Sequence, residues 1–141
     1  MRALASWRSF LVLGVLLPVA CVRPPPPAGA AGPAEAVRDL AAALVRGDSQ
    51  AAWSLLSTRT QQAADALAES ARAAAPATGP SSGKQMLFVS ALPTGAVQAR
   101  LVSEHGDAAE VATSSDGGAS GTFHVVRENG VWKVDLPLGA P

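Results

Sequence analysis

The chain has 141 residues, 48% of them hydrophobic but only 4% aromatic and none tyrosine, so it holds one modest domain whose core rests on few large side chains. Eleven basic residues cancel eleven acidic ones, and without Arg2 and Arg8 the net charge is −2, which excludes the clustered cationic surface that nucleic-acid phosphates require. One cysteine excludes an internal disulfide, and with two separated histidines it gives neither a metal-ligand set nor any cofactor motif.

Residues 1–20 have a positive end (Arg2, Arg8), an apolar run from Phe10 to Leu17, and Pro18-Val19-Ala20 before Cys21. The run is too short to span ~30 Å of hydrocarbon as a helix, so it reads as a secretory leader. Leu17-Pro18-Val19-Ala20-Cys21 resembles the bacterial lipobox, in which a small residue precedes a cysteine that is acylated and becomes the mature N-terminus. Pro18 departs from the aliphatic or small residue usual at its position. The rival site is Ala28-Gly29-Ala30, an A-x-A sequence whose cleavage gives a soluble secreted protein; it lies far beyond the apolar run, behind four prolines. The expected address is therefore the cell envelope through palmitate-type lipid on Cys21, and the outer membrane in a Gram-negative cell because Val22 differs from the usual retention signal, Asp.

Residues 21–33 form a proline-rich tether. Pro24 to Pro27 favour an extended polyproline II rod at ~3.1 Å per residue, clearance for a domain held at a membrane.

The folded domain spans 34–141. Pro33-Ala34-Glu35 opens a helix with Val37, Leu40, Ala41 and Leu44 at helical spacing and Gly47 beyond its end. Asp48 caps a second, Ser49 to Leu56, in which Trp53 either anchors the core or lines a cavity. Thr58-Arg59-Thr60-Gln61 has capping-box spacing and opens an Ala-rich helix running toward Ala75, before Pro76. With little besides Leu67 to bury, this helix must either pack closely or fray. Lys84 to Leu92 reads equally as a short buried helix or a strand, and Pro93 to Gly95 as a turn.

Four antiparallel strands follow. Ala96 to Glu104 alternates, with Val97, Ala99 and Leu101 on one side; His105-Gly106-Asp107 turns; Ala108 to Ser114 returns. Thr122 to Leu136 is a hairpin closed by Asn129-Gly130, a pair suited to a type I′ turn. Counting out from that turn puts Phe123, Val125, Trp132, Val134 and Leu136 on one face. His124 and Asp135 oppose each other on the other. Helices first and a meander last argue an α+β domain with helices on one sheet face, the other face carrying charge.

The element order, Ala42 to Trp53 (AALVRGDSQAAW) and Val125 to Asp135 (VVRENGVWKVD) resemble the NTF2-like superfamily, more narrowly its small extracytoplasmic lipoproteins of undefined function, over about Ala34 to Leu136. The resemblance implies a curved sheet wrapped as a cone around helices, a pocket inside, and a homodimer through the sheet. Trp53, Phe123 and Trp132 are the candidate pocket lining. The superfamily hosts isomerases, dehydratases and pure binding modules, so the fold alone does not select among them.

Chemistry narrows the choice. His124 with Asp135 is the one pair with dyad geometry, but the register puts it on the face away from the core as a solvated pair, so no catalytic residue is assigned. Arg127 shares the inner face with Trp132, either stacked at a pocket rim or snorkelling at the sheet end. Three readings follow in order: a lipid-anchored module binding a partner protein or small apolar ligand, an enzyme needing an inward His or Asp, and a structural envelope subunit using an outer patch around Val126 and Val131.

Overall fold

The computed structural model describes residues 28–89 and 96–139. The leader, Cys21, most of the tether, the end of the ambiguous 84–92 stretch and the turn at 93–95 lie outside the described residues. Among the described residues, four helices, α1 (Pro33–Val45), α2 (Ser49–Ser54), α3 (Thr58–Ala74) and α4 (Gly83–Phe88), precede four strands, β1 (Val97–His105), β2 (Ala108–Ser115), β3 (Ser120–Glu128) and β4 (Val131–Asp135). The strands form one antiparallel sheet in sequence order. The class is α+β, and the described part of the 84–92 stretch, as far as Val89, contains helix rather than strand.

The β3–β4 register is the one counted from the turn, Arg127 opposite Trp132 and His124 opposite Asp135. Asn129 and Gly130 both have positive φ, 52° and 82°, as the two-residue turn demands. Val125 and Val134 are fully buried and Trp132 is 3% exposed. They join Val111, Leu56 and the inner residues of α1 in one core.

Helix α1 crosses the inner face and touches all four strands. Its Ala36, Val37, Leu40 and Ala43 are buried, the stripe that a 3.6-residue period aligns. Helix α3 instead packs against α4. Ala64 and Ala68 are its buried residues along with Thr60, and Gly83 sits so close that a Cβ there would stand 2.5 Å from the Ala64 carbonyl carbon. Small residues let two backbones approach, so of the two expectations for this helix, close packing holds.

Three local expectations change. The second helix stops at Ser54 rather than Leu56, because Leu55 to Ser57 go to the sheet: Val134 N–H donates to the Leu55 carbonyl at 2.8 Å and Ser57 N–H to the Val134 carbonyl at 2.8 Å. Ala30 pairs with Trp132 further along by two hydrogen bonds, 2.9 and 3.1 Å. Together they occupy the β4 edge, whose backbone groups would otherwise be unpaired. The cap of α3 is Ser57, whose Oγ accepts from Thr60 N–H at 3.0 Å, while Gln61 bonds the Trp53 carbonyl instead of closing a capping box. Finally, β1 carries a bulge: Leu101 pairs with Val111, Ser103 with Glu110, and Val102 has no partner. The extra residue flips the alternation, which turns Glu104 to the inner face beside Arg127.

Candidate functional site

The core does not fill the whole inner face. Near the β3–β4 turn the space is taken by Trp132, Val134, Val125, Val111 and Ala109. Toward the other end the inward positions shrink to Thr113 and Ser115 on β2 and Gly121 on β3. A cavity of about 550 Å³ opens there, within the range of small-molecule sites. Val37, Leu40, Ala41 and Leu44 of α1 form one wall, Leu87 and Phe88 of α4 another, and Val97, Phe123 and Leu136 stand on the sheet side. The α1 wall is the i, i+3, i+4, i+7 stripe of that helix, continuing past the filled core.

The described lining residues are apolar or hydroxyl-bearing, and none carries an ionisable side chain. Such a wall can desolvate an apolar body but offers no titratable side chain among its described residues to move a proton.

Of the three pocket candidates from the sequence, Phe123 lines the cavity. Trp53 is half-buried against the core, and Trp132 lies in the core, where the Arg127 guanidinium stacks 4.6 Å above its ring. Arg127 is held there by Glu104 at 3.2 Å, Asp107 at 3.8 Å and its own N–H on the Asp107 carbonyl. Arg127 is therefore stacked, but away from the cavity.

His124 and Asp135 face each other in register, yet their side chains part. The His124 side chain is 59% exposed, with Nδ1 3.8 Å from Glu110. Asp135 is not solvated as expected: the residue is 8% exposed, because the first turn of α3 covers it. Ser57 Oγ donates to Oδ1 at 2.6 Å, Thr60 Oγ1 lies 3.3 Å away, and the mostly exposed Arg59 guanidinium bridges both carboxylate oxygens. Burial pushes the Asp135 carboxyl pKa up, and hydrogen bonds from Arg59 and Ser57, the Arg59 charge and Thr60 outweigh it, leaving the pKa below its ordinary value. The carboxylate is a structural acceptor for a helix start rather than the orienting partner of an imidazole.

Among the described residues no group of three His, Cys, Asp or Glu side chains converges to hold a metal ion, and no described helix is long and apolar enough to cross a membrane. Reasoning from the sequence missed the Thr113, Ser115 and Gly121 end of the cavity. Its signal was the decline in size along β2, Val111 to Thr113 to Ser115, on one face. It also missed Ser57, Arg59 and Thr60 as partners of Asp135, which sequence spacing alone does not disclose.

No family model, curated protein or solved structure matches this chain. The fold and cavity thus define a class by architecture alone: an α+β domain with one helix across a four-stranded antiparallel meander and an apolar cavity between them.

Proposed function

We propose that this is a lipid-anchored cell-envelope protein whose NTF2-like domain is a non-catalytic module that holds a small apolar ligand between α1 and the sheet. The observation that carries the reading is the cavity of about 550 Å³ with no ionisable group on its described lining. The His124–Asp135 pair that would favour an isomerase or dehydratase is parted, its Asp135 bound to Ser57 and Arg59, and the carboxylate that His124 does approach, Glu110, is exposed with it and outside the cavity lining. A partner protein is the other occupant the reading admits.

The anchor is lipid on Cys21, in the outer membrane if the cell is Gram-negative. Ala30 supports it: the residue is 4% exposed and makes two hydrogen bonds to Trp132, all lost if the leader were cut after Ala28-Gly29-Ala30. The helix-then-meander order supports the NTF2-like assignment, with its implied cone and sheet-mediated homodimer.

Two measurements test these statements. Cells fed a palmitate analogue label the wild-type protein and not Cys21→Ala; equal labelling of both refutes the anchor. The full chain in nanodiscs binds the uncharged dye N-phenyl-1-naphthylamine above the lipid background, and Ala41→Trp, whose indole takes up part of the cavity, lowers that excess; no difference between the two refutes the pocket.

A further inference from the structure

The cavity's helical and sheet walls differ in chemistry, and the difference specifies its ligand more closely. Leu40, Leu44, Leu87 and Phe88 make the helical wall wholly apolar. At the Ser115 end of β2, Thr113 and Ser115 project hydroxyls from the inner face, opposite the bare Gly121 on β3. Thr113 Oγ1 donates to the Gly121 carbonyl at 3.2 Å, which spends its proton and leaves its lone pairs free to accept. Ser115 Oγ reaches the Ala119 carbonyl only at 3.4 Å, a long bond that a ligand acceptor can replace. This end both donates and accepts. No described lining residue is cationic to meet a carboxylate or phosphate, and the next residue along the chain, Asp116, is acidic and exposed. An anionic head would give up water here with no charge to receive it.

We infer that the occupant is a single-chain amphiphile with an uncharged, hydroxyl-bearing head, its tail between α1 and α4 and its head on Thr113 and Ser115. This rests on the apolar-ligand reading above and adds the class of head group. Gly121 gives the inference a handle. A Cβ there would lie 3.6 Å from Thr113 Oγ1, an ordinary contact, so a larger side chain enters the polar end without backbone strain.

The test is native mass spectrometry of the full chain ejected from nanodiscs, with 1-monolauroylglycerol, dodecanoate and dodecylamine at equal concentration. The expected result is one equivalent of monolauroylglycerol retained about tenfold better than either charged amphiphile, the factor set by leaving a charge unpaired by as little as about 1.4 kcal/mol. Gly121→Leu is expected to abolish that retention while its thermal midpoint stays at the wild-type value. Equal or better retention of dodecanoate or dodecylamine overturns the head-group class but leaves the apolar pocket standing. Undiminished retention by a folded Gly121→Leu overturns the placement of the head. Retention of none of the three overturns the apolar-ligand reading itself.

Discussion

Ser57 Oγ donates to Asp135 Oδ1 at 2.6 Å, tying the cap of α3 to the last residue of β4 across 78 positions of sequence. The same hydroxyl accepts from Thr60 N–H, so one serine both starts α3 and fastens it to β4. Losing the carboxylate removes a charged acceptor from two buried hydroxyls, Ser57 and Thr60, leaving Ser57 Oγ only Thr60 Oγ1 at 3.0 Å and Thr60 Oγ1 only the Leu136 carbonyl at 3.4 Å to donate to. Asp135→Ala is therefore expected to lower unfolding free energy by about 2–3 kcal/mol, and Ser57→Ala by about 1–2 kcal/mol. Urea titration checks both, and a loss under about 0.5 kcal/mol for Asp135→Ala would show the junction to be incidental.

The junction also sets a pH dependence. The folded-state pKa of Asp135 is lowered from an unfolded value near ~3.9, so its contribution is fully present above that value and is lost as pH falls through the lower folded one. Asp135→Asn is less stable than wild type at neutral pH. The gap between them is expected to close as pH drops below about 4, read as the difference in thermal midpoint at each pH. A gap that stays constant into strong acid means the carboxylate is not the titrating group.

The end of the tether is part of the sheet. Gly29 has φ 153°, and a Cβ there would stand 2.5 Å from Val131 Cγ2, so Gly29→Ala must displace Ala30 from Trp132. Hydrogen exchange at the Trp132 amide, which Ala30 accepts at 2.9 Å, is expected to accelerate by about tenfold or more, the effect of about 1.4 kcal/mol of local opening. The Val134 amide, held by Leu55, keeps its rate. Unchanged exchange at Trp132 would mean the tether end does not hold that edge.

The contact between α3 and α4 depends on an absent side chain. Gly83→Ala puts a methyl 2.5 Å from the Ala64 carbonyl carbon and the Asp65 nitrogen, backbone atoms that cannot turn aside. An expected cost of about 1–3 kcal/mol follows from overpacking. The control is Gly47→Ala: Gly47 has positive φ but nothing within 4 Å of a Cβ, so its loss reports backbone strain alone.

How far the sequence discloses this molecule depends on the range of each interaction. The β3–β4 hairpin is legible to the residue, because Asn129-Gly130 fixes the register and the period of two sorts the faces. The α1 stripe is legible for the same reason at a period of 3.6. Alternation does not mark the bulge at Val102, an extra residue that leaves the local pattern plausible on either side. Nor does it foresee that Leu55 to Ser57 abandon a helix to pair with Val134, since the bridge of Leu56 with Val134 joins residues 78 positions apart. Asp135 illustrates the difference most clearly: its face follows from the turn register and its burial does not, because the covering Ser57, Arg59 and Thr60 come from another element. The cavity is a property of α1, α4 and the sheet together, and of the three pocket candidates Trp53, Phe123 and Trp132 only Phe123 lines it.

Leucine and valine methyl NMR of the full chain in nanodiscs, titrated with N-phenyl-1-naphthylamine, tests the central claim most directly, because it reports where a ligand sits. The expected result is saturable shifts at Val37, Leu40, Leu44 and Leu136, which line the cavity, with Val126 and Val131 on the outer face unmoved. Shifts confined to Val126 and Val131, or none at the cavity methyls at saturating dye, would contradict an apolar ligand held between α1 and the sheet.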